Sequence, residues 1–318
     1  VKILVVTNMF AGANPVSPSQ GIFVSEQVNA LRRLPNVEVD VEVVKGFDGS
    51  HAYLTSMPRI IRTIIHGRYD VIHYHFGLTA WSAPLVRMFT KAKIVVTLHG
   101  SDVCGPRWMR LISSFSSRFC DVVVAVSKEI AIRTPTISRK SVTIPCGVDV
   151  EFFKPEVKLR QFRSTRLVIF PSSPDRPEKD YNLFKQVLEK IRLALPELNI
   201  EERWIDKLSR AEVKDLLQRA HVLILTSKRE GSPQVVKEAM ACALPVVAVN
   251  VGDVAKLLGG VEQCFVSADR DSEAISTKAV QILSSTKEST GPERLREFGY
   301  TESDVVNRLM KIYQSILN

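Results

Sequence analysis

Short β-branched runs alternate with stretches of helical period along the chain. Residues 3–6, 37–44, 71–74, 94–98 and 122–126 read as strands, and most are too apolar throughout to have one wet face. Such runs belong to a parallel sheet covered on both sides. Between them, residues 23–34 and 54–66 repeat apolar positions at helical spacing. After Phe152, Phe153, Lys154 and Pro155 a charged stretch runs to Arg166, and the alternation then restarts. Strands are expected at 167–170, 200–205, 222–225 and 246–249, and helices at 182–194, 210–220, 233–243, 273–284 and 302–317. Two doubly wound, Rossmann-like α/β domains follow, over residues 1–154 and 155–300, with residues 301–318 as a terminal helix. In such sheets ligands sit outside the carboxyl ends of the strands, so chemistry is expected in the loops there.

A length of 318 residues accommodates two such domains. No apolar run approaches the roughly 20 residues that span a bilayer. The five cysteines lack metal-ligand spacing, and their odd number without a signal peptide points to reduced thiols and a cytoplasmic protein. The net charge of +9 is uneven: residues 1–154 hold 18 Lys and Arg against 11 Asp and Glu, whereas 155–318 hold 25 against 23. A basic first half suits nucleic acid, an anionic membrane surface or a phosphorylated substrate. The basic residues are dispersed and no nucleic-acid-binding motif accompanies them, so nucleic acid ranks last.

Residues 227–241 hold the most informative chemistry. A strand ends near Thr226, Gly231 permits a tight turn, Ser232 suits an N-cap and Pro233 the first helical position. A helix starting there offers N–H groups and a positive dipole end to a diphosphate. Val235, Val236, Ala239, Met240 and Ala243 form one apolar stripe that leaves Glu238 on the other side, and Glu230 lies in the preceding loop. The two carboxylates therefore flank an anion site and can accept hydrogen bonds from sugar hydroxyls. Ser172, Ser173, Arg176 and Lys179 directly follow the strand that opens the second domain. A guanidinium and an ammonium at a strand's carboxyl end can neutralise charge on a departing nucleoside diphosphate. Arg176 can equally pair with Glu178 or Asp175.

In the first domain His99, Gly100, Ser101 and Asp102 end a buried strand in a polar loop. His99 can approach a reacting centre through its ring or its backbone carbonyl, while Asp102 can orient an acceptor hydroxyl or cap the next helix. Gly21 stands where the loop after the first strand enters a helix, and no G-x-G-x-x-G is present, which removes support for a nicotinamide cofactor. His73 and His75 alternate on one strand without a nearby third ligand, so a structural role is expected for them. Asp269, Arg270 and Asp271 have the form of a metal-binding D-x-D but fall late in the second domain. Trp108, with Arg107, Arg110, Leu111, Ile112, Phe115 and Arg118, suits either shallow contact with an anionic lipid surface or an amphipathic helix on a core.

Glu230 and Glu238, continued by Ala239, Met240, Ala241, Pro245, Val246, Val247 and then Val251, Gly252 and Asp253, resemble the glutamate-x7-glutamate motif of retaining glycosyltransferases of family 4. That family has the GT-B architecture, two Rossmann-like domains facing a central cleft with a C-terminal helix crossing back to the first. The likeness extends over about residues 4–313. It implies that Glu238 binds the ribose hydroxyls of a nucleotide-sugar donor, that Glu230 contacts the donor sugar, and that Gly231, Ser232 and Pro233 hold the diphosphate through their backbone. Lys179 then stabilises the leaving group, with Arg176 beside it. Ser172 and Ser173 stand where the family has a glycine-arginine pair. His99 contacts the donor sugar, Asp102 lies on the acceptor side, and the Gly21 loop closes over acceptor and diphosphate. The resemblance further implies a metal-independent transfer to a saccharide or lipid-linked glycan, without other cofactor. The alternatives on the same architecture are a nucleotide-sugar epimerase and a non-catalytic partner in polysaccharide assembly.

Overall fold

The computed structural model describes residues 1–134, 141–156, 165–285 and 287–318. The chain forms two compact units, Val1–Gly147 with Glu302–Asn318, and Val148–Thr301. The second begins at Val148, earlier than expected, because Val148 N donates to Tyr300 O and Phe153 is fully buried in that unit's core. Most of the charged stretch expected as a linker, residues 157–164, lies outside the described residues.

The first unit contains strands β1 (Lys2–Thr7), β2 (Glu38–Val43), β3 (Val71–His75), β4 (Lys93–Leu98), β5 (Val122–Ala125) and β6 (Ser141–Thr143). Among the described residues they form one parallel sheet in the order β2-β1-β3-β4-β5-β6. Its helices are α1 (Ile22–Arg32), α2 (His51–Thr55), α3 (Met57–Gly67), α4 (Ala83–Phe89), α5 (Ser101–Cys104), α6 (Arg107–Ser117) and α7 (Lys128–Arg133). Alternate residues of the strands enter two separate cores. Leu4, Ile72, Ile94 and Val123 pack on one face with Ile60 and Ile64 of α3. Ile3, Val71, Val95 and Val122 pack on the other with Val24 and Val28 of α1. Both faces are dry, which is why the runs are continuously apolar.

The second unit repeats the plan with β7 (Thr165–Phe170), β8 (Asn199–Trp204), β9 (Val222–Leu225), β10 (Val246–Val249) and β11 (Cys264–Ser267), parallel in the order β11-β10-β9-β7-β8. Its helices are α8 (Tyr181–Ala194), α9 (Arg210–Arg219), α10 (Gln234–Ala241), α11 (Val254–Leu258), α12 (Ser272–Leu283) and α13 (Gly291–Glu297). The last helix, α14 (Glu302–Leu317), belongs to the first unit: Val305, Val306, Leu309 and Tyr313 complete the core that Ile3 and Val5 begin.

Two local expectations are corrected. The single helix expected over 54–66 is divided at Ser56, because Pro58 has no N–H for the ladder and instead sits in the first turn of α3. Helix α10 starts at Gln234, one residue later than expected, with Pro233 as its N-cap and no side-chain cap. The edge strands β6 and β11 carry no strong period and were not expected.

Candidate active site

The strand order of the second unit sets β7, β9 and β10 side by side, so the loops leaving their carboxyl ends meet. The loop after β7 is laced to the loop after β9. Thr226 Oγ1 lies 3.0 Å from the carbonyl oxygens of both Lys179 and Asp180, and Lys228 N donates to Glu178 O at 2.8 Å. Arg270 braces the junction, donating to the Thr226 and Ser227 carbonyls and pairing with Asp180. Asp271 accepts from Glu273 N and Ala274 N as the N-cap of α12. The D-x-D run is therefore a brace and a cap.

This lacing brings the two motifs of the second half into one site. Lys179 Nζ donates to Glu230 Oε1 at 2.6 Å, and the two side chains keep only 14% and 13% exposure. Eight residues after Glu230, Glu238 lies on α10, 5% exposed, and accepts from Arg210 Nη1 at 2.9 Å. The Arg210 guanidinium in turn lies 4.6 Å from the centroid of the Phe153 ring. Arg210 was not expected in the site. Its placement comes from a capping box, Ser209 with Glu212, which makes Arg210 the first residue of α9.

The loop that carries Glu230 is seated from below. Gly252 adopts φ +57°, and a Cβ there would fall 2.5 Å from Gly231 O and 2.8 Å from Glu230 O. Only glycine permits both the left-handed backbone and that approach. Ser232, expected to cap α10, instead donates to Asp253 Oδ2 at 2.8 Å and accepts from Lys237 Nζ at 3.2 Å. Lys237 is wholly buried, and its ammonium is thus held at the head of the helix. Burial raises the Asp253 carboxyl above its ordinary pKa, while Lys237 and Ser232 draw it down. Arg176 is the outlying member: 55% exposed, it clasps Glu178 through Nε at 2.9 Å and Nη2 at 2.6 Å, the alternative that its neighbours offered. Ser172 is buried, and Ser173 Oγ accepts from Asp175 N at 3.4 Å.

The first unit gathers a separate set at the carboxyl ends of β1, β3 and β4. Gly21 has φ +78°, and a Cβ on it would fall 2.2 Å from the Met9 carbonyl carbon, so α1 begins hard against the loop after β1. His73 and His75 lie on one face of β3, and both are buried among side-chain partners. Tyr313 Oη lies 2.6 Å from His73 Nδ1 and Thr97 Oγ1 lies 2.7 Å from its Nε2. The Gln27 amide nitrogen lies 3.2 Å from His75 Nε2, and His75 Nδ1 lies 3.0 Å from His99 Nε2. Cys146 Sγ is 3.9 Å from the other ring nitrogen of His99, and Phe23 packs against the ring. Burial holds His73 down to about 3 and His75 well below the ordinary range, with the neighbouring histidines adding to both, so these rings are neutral. Among the described residues no group of three or more His, Cys, Asp or Glu side chains is arranged to hold a metal ion.

Asp102 is fully buried. Its carboxylate accepts from Gly77 N at 2.9 Å, Gly100 N at 2.8 Å and His99 N at 3.2 Å. Burial raises its pKa and the three N–H donors pull it back. It therefore fixes the course of the His99 loop. The four-residue α5 that follows has Gly100 at its N-cap, without a side-chain cap.

Residues 18–152 match the family described as Glycosyltransferase Family 4, and residues 149–285 match Glycosyl transferases group 1. The chain belongs to these glycosyltransferases. N-acetyl-alpha-D-glucosaminyl L-malate synthase of Bacillus anthracis is 24% identical over 287 residues, which cover 78% of this chain and 75% of that protein. Among solved structures, sucrose-phosphate synthase of Thermosynechococcus elongatus has a TM-score of 0.78 at 14% identity, with 99% of each chain covered. Anabaena Alr3699/HepE, solved in complex with UDP and glucose, has a TM-score of 0.73 at 16% identity, again with 99% of each chain covered. The glycosyltransferase has the GT-B fold.

Proposed function

We propose that this glycosyltransferase moves a sugar, with retention and without a metal ion, from a nucleoside-diphosphate-sugar to a saccharide or lipid-linked glycan. It acts in the cytoplasm and meets a lipid-linked acceptor by peripheral membrane contact. Glu238 takes the ribose hydroxyls and Glu230 the donor sugar. The backbone of Gly231, Ser232 and Pro233 at the head of α10 takes the diphosphate, with the Lys237 ammonium adding positive charge beneath it. Lys179 stabilises the leaving diphosphate, and Arg176 assists once released from Glu178. The sugar's anomeric carbon parts from the diphosphate oxygen as the acceptor oxygen bonds to the same face. The acceptor proton passes to the departing phosphate, so no protein base is assigned. His99 and the Gly21 loop contact donor and acceptor from the first unit, and Asp102 acts there as a positioning residue.

The observation that carries this reading is the Lys179 to Glu230 ion pair, which sets a cation and a carboxylate in contact just before α10. UDP in the HepE complexes supports trying UDP-sugars first. The test is release of nucleoside diphosphate from a panel of UDP-, GDP- and ADP-sugars with oligosaccharide and lipid-linked acceptors. Acceptor-dependent release that Lys179→Met abolishes supports the proposal. An isomerised nucleotide sugar formed without acceptor, or release indifferent to Lys179, overturns it.

A further inference from the structure

The first unit carries a groove of about 460 Å³ between α6 on one side and α2 with the turn after β3 on the other. Its walls are Tyr53, Leu54, Trp81, Trp108, Leu111 and Phe115. Two polar atoms of these walls are engaged elsewhere: Trp81 Nε1 donates to Tyr53 O at 3.1 Å, and Tyr53 Oη accepts from Asn8 Nδ2 at 2.9 Å. The lining is predominantly apolar, with Ser50 and Ser116 as its small polar members, yet it faces water. Leu54 is 62% exposed, Leu111 69%, Phe115 53% and Trp108 52%. Four large apolar side chains clustered in one concave patch are not the scattered singles of an ordinary surface.

The rim of the groove is cationic. Arg107, Arg110 and Arg118 are exposed, no acidic residue occurs from Gly105 to Cys120, and among the described residues none of the three arginines is held in an ion pair. By helical period, Arg107 of α6 lies one turn from Leu111 and Arg118, the C-cap of the helix, one turn from Phe115, so both fall at the Leu111 edge of the apolar stripe, whereas Arg110 falls on the opposite side of α6. The groove is also joined to the loop already placed in the site. Ser113 of α6 donates to Asp102 O at 3.1 Å, while Asn8, which binds Tyr53, directly follows β1.

We propose that this groove binds the hydrocarbon chain of the acceptor, an amphiphile whose phosphate is met by the arginine rim. The inference deepens the glycosyltransferase reading and rests on it for the word acceptor. It selects the lipid-linked class over soluble saccharides. A concave apolar trough with a basic edge complements a single chain carrying an anionic head, and it lies on the unit that holds the His99 loop.

The probes are octyl, decyl and dodecyl phosphate, titrated calorimetrically below their aggregation concentrations. Affinity is expected to rise about two- to fourfold per added methylene, the upper figure applying to full burial. Dodecyl phosphate is expected to bind about tenfold more tightly than dodecyl maltoside, whose head is neutral. Leu111→Asp and Phe115→Asp, both at exposed positions, are expected to abolish chain-length dependence while leaving UDP binding unchanged. Affinity independent of chain length, or insensitive to both substitutions, overturns the proposal. So does binding confined to vesicles of phosphatidylglycerol, which makes the patch a bilayer contact, or a dimer that Leu111→Asp dissociates, which makes it a self-interface. Alkyl phosphates that fail to bind an enzyme active on soluble saccharides defeat the groove alone. Alkyl phosphates that bind a protein turning over no nucleotide sugar defeat the transferase reading alone.

Discussion

Arg210→Leu probes the least expected member of the site. Glu238 keeps only 5% of its side-chain exposure and Arg210 19%, so removing the guanidinium leaves a carboxylate desolvated beside an apolar group. Breaking a buried pair from one side costs about 3–5 kcal/mol. Because Arg210 retains some water contact, the low end applies, and loss of its stacking on Phe153 adds about 0.5–1 kcal/mol. A loss of about 3.5–4 kcal/mol is therefore expected for the transition of the second unit in urea, read as a lower midpoint at constant slope. The double variant Arg210→Leu with Glu238→Leu removes the stranded charge and should be more stable than Arg210→Leu alone. In binding, Arg210→Leu should weaken UDP more than its 2′,3′-dideoxy analogue, since Glu238 loses the partner that orients it. A stability loss under about 0.5 kcal/mol would place the pair with ordinary surface salt bridges and refute the reasoning. So would a double variant no more stable than the single one.

Lys179→Met should lower the transfer rate about 10²- to 10³-fold, the range for removing a preorganised charge-stabilising group, with a smaller change in donor affinity; stopped-time assays of diphosphate release check this. Gly252→Ala forces an L residue into φ +57° and drives a Cβ against the Gly231 and Glu230 carbonyls, so a loss of at least about 1–2 kcal/mol and a weakened donor site are expected from denaturation and calorimetry. His73 and His75 are held neutral in the folded chain. Below about pH 6.5 the unfolded chain binds protons that these rings refuse, so stability is full above that pH and falls as pH drops toward 3, by up to about 1.4 kcal/mol per unit for each ring. An acid titration of stability that His73→Asn leaves equally steep would contradict this. Tyr313→Phe strips the partner from a buried ring nitrogen and should cost about 1–3 kcal/mol by thermal or urea melts.

Periodicity made the sheets legible because strands dry on both faces, such as Ile3 to Val6 and Val222 to Leu225, have no other use for continuous branched apolar residues. It failed at β6 and β11, short edge strands in which pairing rather than composition defines the strand. That Glu230, Glu238 and Lys179 stand at strand ends and near one helix start was legible because the turn residues around them placed the loops and the helix to within a residue. The fate of Ser232 was not. Its hydroxyl answers to Asp253 and Lys237, and that competition for a cap depends on tertiary contacts. Arg210 was missed for a related reason: it is distant in sequence from Glu238, and only the packing of α9 beside α10 brings them together. Asp102 offered both a cap and an acceptor contact to a reader of the sequence, and its three backbone donors, one of them Gly77 from a distant loop, were not legible because they depend on tertiary contacts.

The most direct test is the crystal structure of the protein with a bound nucleoside-diphosphate-sugar that it turns over. The expected density runs along the head of α10, with ribose hydroxyls on Glu238, the sugar at Glu230 and Lys179 turned from Glu230 to the diphosphate. Density for the nucleotide away from β7, β9 and β10, with the Lys179 to Glu230 pair undisturbed, would contradict it.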